Sequence, residues 1–283
     1  MAENKVRIFV DSAADVASAV AEKVTILPMT VRFGDTEYVD GVTITNREFY
    51  EKLIESDELP TTSQIMPHAF AEAYKEALDE GCDVVVITVS SKLSGTYQSA
   101  CIAKEEVGGN VYVVDSLTAA IGEGVLTEYA VALMEEGKSA QEIAKALEEK
   151  REKILVVAML NTLEYLKKGG RISKTVAFAG EILSIKPVVC IVDGAVSMLG
   201  KARGSRQANN LLVKEIEQAG GVYFAMPVLL GYTGLDDTLL KKYVEDSAAL
   251  WQESREQLNS VIIGSIIGTH AGPGAVAVAF FRK

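Results

Sequence analysis

Two hydrophobic rhythms divide the chain. In the first half, short continuous apolar runs alternate with longer amphipathic stretches. Val6 to Val10 predicts a strand that runs into Asp11-Ser12, residues of N-cap type, and then an Ala-rich helical stretch to about Lys23. Val24 to Val39 reads as extended segments broken at Gly34-Asp35, a hairpin signal. The spacing predicts helices over Asn46 to Glu55 and Pro67 to Glu80. Asp83 to Val89 holds the uninterrupted core VVVITV, the pattern of a strand covered on both faces. A helix from Gly95 to Glu106, a strand from Val111 to Val114, and helices over Leu117 to Glu136 and Ser139 to Lys150 complete this half. A βαβ rhythm of this kind implies a mostly parallel sheet between helix layers.

The second half mixes hairpins with helices. Ile154 to Leu160 is an apolar strand followed by a helix. Val188 to Val192 and Ala195 to Leu199 flank Asp193-Gly194, a strong hairpin turn. Arg203 to Gln218 and Leu235 to Glu253 read as helices, with strands at Val228 to Tyr232, Ser260 to Ile266 and Ala275 to Phe281. This pattern suggests a mixed sheet with helices packed on it. The expected class is α/β with two domains, residues 1–152 and 153–283, divided after the charged segment EEKREK.

Composition narrows the setting. Hydrophobic residues make up 48% of the 283, enough for a packed core. Cys82, Cys101 and Cys190 are scattered in apolar runs, which reads as thiols in a reducing compartment rather than a disulfide framework. Lys5 and Arg7 precede only a three-residue apolar run, too short for a secretory signal. No stretch approaches the roughly 18 apolar residues of a membrane span, so the expectation is a cytoplasmic protein. With 39 acidic against 28 basic residues the net charge is −11, which disfavours nucleic acid as a partner.

Four segments concentrate hydroxyls and glycine where strands end or helices begin: Asp11-Ser12, Pro60 to Gln64, Ser90 to Ser99, and Asp115-Ser116. Three follow strands of the parallel region, where ligands bind an open sheet. Hydroxyls and unpaired helix amides there suit an anion. For Asp11, Ser12 and Asp115 ordinary helix capping is an equally good account. Ser94-Gly95-Thr96 exceeds what one cap needs, and the glycine permits close backbone approach.

His270 lies in the glycine-rich segment Ile267 to Gly274 between two apolar runs, read as a turn where a ring can face a pocket. With His68 as the only other histidine, a histidine-rich metal site is excluded. Two basic clusters, Lys167 to Ile172 and Gly200 to Arg203, stand beside glycines. The second falls short of a phosphate-binding loop: five residues separate Gly194 from Gly200, and Ala202 stands where a Ser or Thr would meet magnesium. No dinucleotide fingerprint follows a strand, and no nucleophile elbow is present.

Taken together, Asp11-Ser12-x-x-Asp15, Thr61-Thr62-Ser63-Gln64, Ser94-Gly95-Thr96-Tyr97-Gln98-Ser99, Asp115-Ser116, Lys168-Gly169-Gly170-Arg171-Ile172, Lys186-Pro187 and His270-x-Gly272 resemble the DegV family, in order and across nearly the whole chain. The resemblance implies an α/β/α domain and a smaller two-layer α/β domain with a mixed sheet. It is nearest to members that serve as the fatty-acid-binding subunit of bacterial fatty acid kinase. These hold a long-chain fatty acid between the domains as ligand, without other cofactor or metal. By motif, the carboxylate would meet Thr61, Thr62, Ser94, Gly95 and His270, while Arg171 and Arg203 would face the phosphate or the partner. The implied partner is the ATP-binding kinase subunit, with transient contact to a membrane surface. A lipid sensor remains an alternative. So does a hydrolase using Ser94 and His270, although no residue stands out as a third member of a triad.

Overall fold

The computed structural model describes residues 5–172, 185–251 and 258–283. Its first sheet runs in the order β2-β1-β6-β7, all parallel: β1 (Lys5–Asp11), β2 (Thr25–Leu27), β6 (Cys82–Thr88) and β7 (Val111–Asp115). Side chains alternate across a strand, so one face of this sheet presents Ile8, Val10, Val85 and Ile87 and the other Phe9, Val84 and Val86. Helices α3 (Pro67–Asp79) and α4 (Thr96–Val107) cover the second face, and α5 (Ile121–Glu135) and α6 (Ala140–Lys150) the first.

A six-stranded mixed sheet follows, in the order β10-β9-β8-β13-β11-β12. Its strands are β8 (Ile154–Met159), β9 (Ile185–Val192), β10 (Ala195–Arg203), β11 (Val228–Tyr232), β12 (Asn259–Ile262) and β13 (Val276–Phe281). Asp193 and Gly194 both take positive φ, 49° and 80°, as a tight two-residue hairpin demands. Helices α8 (Gly204–Gln218) and α9 (Thr238–Asp246) cover the outer face. The inner face meets α5, which is buried at ten of its fifteen positions. A helix apolar on all sides belongs between two layers, and α5 shares one core with both sheets. No described helix is long and apolar enough to cross a membrane.

Three departures from the sequence pattern bear on function. The stretch after Asp11 is mostly loop, with only the short α1 (Ser18–Ala21). Asp11 does not cap that helix; its carboxylate accepts the Val89 and Ala13 amides at 2.8 and 2.9 Å. A small third sheet joins β3 (Thr30–Phe33), β4 (Thr36–Val39) and β5 (Thr61–Ser63), with α2 (Asn46–Glu55) packed nearby. The segment expected as strand and glycine-rich turn contains instead helix α10 (Ser265–Ala271), flanked by α7 (Glu164–Lys168) and α2. Composition favours a strand through Ile263 and Ile266, yet the chain turns helical at Ser265, where Gly264 and Ser265 bond Asp15 and Asp40 of the first half. The expected helix from Leu235 ends at Asp246, with a 3₁₀ turn at Ala248–Leu250; residues 252 and 253 lie outside the described residues.

Candidate functional site

A cavity of about 380 Å³ lies between the loops after β1 and β6, helix α10 and the inner face of the mixed sheet. That is within the usual range of small-molecule pockets. Most of its wall is hydrocarbon: Ala119 and Ala120 before α5, Ala158 from β8 and Leu160 just after it, Val189 and Ile191 from β9, Ala275 and Ala277 at β13, and Ile263, Ile266 and Ile267 around α10. The alternation Ala275-Val276-Ala277-Val278-Ala279 explains the sheet's contribution. Ala275 and Ala277 face the cavity, while Val276 and Val278 pack under α8 and α9. This alternation was visible in the sequence as period-two patterning, and the apolar lining could have been sought there.

The polar lining consists of Thr62, Ser63, Gln64, Ser94, Gly95, Arg171 and His270. A hydrogen bond joins two of them directly, and others tie them to neighbouring loops. Thr62 Oγ1 lies 3.0 Å from His270 Nε2. Arg171 donates from Nε to the Leu93 carbonyl at 3.1 Å and from Nη1 to the Gly169 carbonyl at 2.7 Å, which ties the Ser94 loop to the turn beside His270. Gln64 donates to Ser99 Oγ at 2.9 Å, and a Cβ at Gly95 would collide with its carboxamide. Gly95 is the N-cap of α4, so the N-terminal end of a twelve-residue helix, with its favourable dipole, lies at this side of the cavity.

Thr61 is exposed and does not line the cavity, which is lined from Thr62 onward. Arg171 is half-buried in the cavity wall rather than in an outward turn. Arg203 is exposed at the end of β10, away from the cavity and within a strand rather than a turn. Ser12 accepts the Met29 amide at 3.0 Å, and Asp115 accepts the Ser91 and Leu117 amides at 3.1 and 3.0 Å. These residues therefore tie loops together and do not reach an anion.

His270 is neutral. Burial, then the nearby Arg171 guanidinium, lowers its pKa to about 4. The unfolded chain binds a proton near pH 6.5 that the folded chain refuses until about pH 4. Stability from this residue is therefore full above 6.5 and is lost as pH falls toward 4, by up to about 3 kcal/mol. Ser94 Oγ lies 2.9 Å from Thr96 Oγ1 and accepts the Thr96 amide at 3.3 Å. His270 bonds Thr62 rather than Ser94, and its Nδ1 is buried without a partner. A serine–histidine pair oriented by a third group is not assembled. No group of three or more metal-ligating side chains occurs among the described residues.

A large apolar chamber with one cluster of neutral donors and an arginine suits a long hydrocarbon with an acidic end. Comparison with known proteins bears on this. Residues 5–283 match the family model described as uncharacterised protein, DegV family. A DegV domain-containing protein of Clostridium acetobutylicum is 34% identical, with 99% of each chain covered. Among solved structures, a fatty-acid-binding DegV family protein from Thermus thermophilus is 32% identical, with 99% of this chain and 100% of that one covered and a TM-score of 0.87. The B3 protein of Streptococcus pneumoniae fatty acid kinase, loaded with linoleic acid, shares the fold at a TM-score of 0.84 and 22% identity, covering 99% and 100%. The chain belongs to the DegV family.

Proposed function

We propose that this protein holds one long-chain fatty acid in the cavity and presents its carboxyl group to the ATP-binding subunit of a fatty acid kinase, performing no chemistry alone. The observation that carries this is the apolar chamber closed by Thr62, Ser94, Gly95, Arg171 and His270. The Thermus thermophilus relative, described as fatty acid binding, supports it. Each buried methylene contributes about 0.8 kcal/mol, so about 14 give on the order of 11 kcal/mol before association costs. The carboxylate adds little net affinity where hydroxyls replace water, and its bonds fix which end of the acid faces out. In this assignment Arg171 belongs to the carboxylate cluster, Arg203 is the exposed partner-facing residue, and Thr61 serves through the β5 backbone.

Organic extraction of protein expressed in bacteria is expected to release long-chain fatty acid at near-equal molar amount. Protein that emerges clean and takes up no added fatty acid would sink the proposal. Kinase coupling is tested separately: Arg203→Ala is expected to keep lipid affinity and weaken acyl-phosphate formation with an added kinase subunit.

Ser94 distinguishes a carrier from an enzyme. As a ligand its hydroxyl makes one charge-assisted bond worth about 1.5–3 kcal/mol, so Ser94→Ala is expected to weaken fatty acid binding roughly tenfold to a hundredfold. A fluorophosphonate probe is expected to leave the intact mass unchanged. A stoichiometric adduct on Ser94, with unchanged affinity in the variant, would make it a nucleophile instead.

A further inference from the structure

Helix α10 is seven residues long and carries His270 in its last turn. A helix this short has no stability of its own, so tertiary contacts must hold it. Two buried acids from the other half of the chain do so. The Gly264 amide, at the N-cap, donates to Asp15 Oδ1 at 2.7 Å. Ser265 Oγ donates to Asp40 Oδ1 at 2.6 Å. Tyr50 donates its hydroxyl to the Ile263 carbonyl at 2.7 Å just upstream. Gly268 lies so close to α2 that a Cβ there would stand 2.6 Å from the Tyr50 oxygen. At the far end the helix delivers His270 to Thr62 at 3.0 Å.

A helix N-terminus offers unpaired amides and favours negative charge, and residues beside it in sequence usually supply the cap. Here Gly264 has no side chain to offer, and the caps come from 249 and 225 residues away. The arrangement is costly. Asp15 and Asp40 are each 8% exposed, they face one another, and Asp15 Oδ2 has no partner. Burial, then the neighbouring Asp40, holds the Asp15 carboxyl well above the ordinary range, and both acids raise the pKa of the buried Tyr50 hydroxyl. A buried carboxyl oxygen is tolerated where donors satisfy it, and here the donors are the Gly264 amide and the Ser265 hydroxyl at the start of α10.

We infer that Asp15 and Asp40 are the positioning residues of His270: by capping α10 across the two halves of the chain they fix the depth at which the imidazole meets Thr62 and the cavity. The inference rests on the fatty-acid role proposed for the cavity, but its primary readout does not. Neither side chain lines the cavity, and each bonds the start of α10; the backbone amides of Asp15 and Asp40 bond the carbonyls of the lining residues Ala120 and Met29, contacts that a side-chain substitution leaves in place.

The chain's two histidines make the test direct. His68 is exposed on α3, so the imidazole signals in an NMR titration belong to one exposed and one buried ring, and His68→Gln assigns them. In the wild type His270 is expected to titrate at about 4. Asp15→Ala and Asp40→Ala are expected to move it toward the ordinary 6.5, as water reaches a loosened α10. Binding of the fluorescent fatty acid cis-parinaric acid should weaken about tenfold, the size of a lost cap. Asp15→Asn keeps an oxygen for the Gly264 amide and is expected to restore both readouts to within about threefold of wild type. An unmoved His270 titration in both alanine variants, with or without a fall in melting temperature, would overturn the inference. If the alanine variants do not fold, Ser265→Ala removes only the donor to Asp40 and is expected to shift the same signal; no shift there would overturn it equally. Wild-type protein that binds no cis-parinaric acid, but whose His270 signal answers to Asp15→Ala, would overturn the fatty-acid role and leave the positioning role standing.

Discussion

Ala277→Phe is expected to abolish binding of a long-chain fatty acid while leaving the protein folded. Ala277 and Ala158 are direct partners across β13 and β8, and both line the cavity. A phenyl ring at either position would extend into the space assigned to the acyl chain. Displacing about five methylenes forfeits about 4 kcal/mol, close to a thousandfold in affinity. Overpacking a dense core usually costs about 1–3 kcal/mol, but this ring enters space left open between the two sheets. The control is Val278→Phe, one residue away on the opposite face. Val278 is fully buried in the close-packed layer under α8 and α9, so enlarging it should lower the melting temperature without a selective loss of binding. Titration calorimetry with palmitate beside thermal unfolding of both variants checks the pair. Equal lipid affinity in Ala277→Phe and wild type would place the acyl chain elsewhere.

Glu123→Gln is expected to flatten the dependence of stability on pH. Glu123 sits in α5, fully buried, and neither carboxyl oxygen has a hydrogen-bond partner. Burial, followed by the charges of Asp11, Asp15 and Asp115, holds its pKa well above the ordinary 4.5. The folded chain therefore keeps a proton that the unfolded chain releases above pH 4.5. Stability falls as pH rises, by about 1.4 kcal/mol per pH unit so long as the folded chain keeps that proton. Asp11 acts in the same direction over a narrower window. Its pKa rises from 3.8 to about 6 by burial, against the two amides that favour its charged form, and its contribution is lost between those values. His270 opposes both below pH 6.5. The glutamine carries no proton to lose, so urea midpoints of the variant should gain on wild type as pH rises above 5. Parallel profiles would show that Glu123 ionises normally and that water reaches it.

Local elements were legible because their causes are local. Helix α2 begins where the capping box of Thr45 and Glu48 says it should, and α6 where Ser139 and Glu142 repeat the device. The Asp193-Gly194 hairpin follows from two residues that tolerate positive φ. The parallel sheet was readable from VVVITV, since only a strand covered on both faces is apolar throughout. Thr62, Ser94, Gly95, Arg171 and His270 were all singled out in ordered motifs, though their convergence on one cavity was not derivable from spacing.

What tertiary structure decided has non-local causes. Asp11 and Ser12 looked like caps, yet their partners are Val89 and Met29, brought near only by strand pairing. Thr61 and Thr62 were equivalent as letters, and in the fold Thr61 is exposed while Thr62 lines the cavity. The segment to Ile266 had the composition of a strand and the residues around His270 that of a glycine-rich turn, yet Ser265–Ala271 is a helix whose start bonds Asp15 and Asp40 from more than two hundred residues away. The cavity is the furthest from the sequence. It is a volume bounded by side chains from segments scattered from Ala13 to Ala277, brought together only when α5 packs between the two larger sheets.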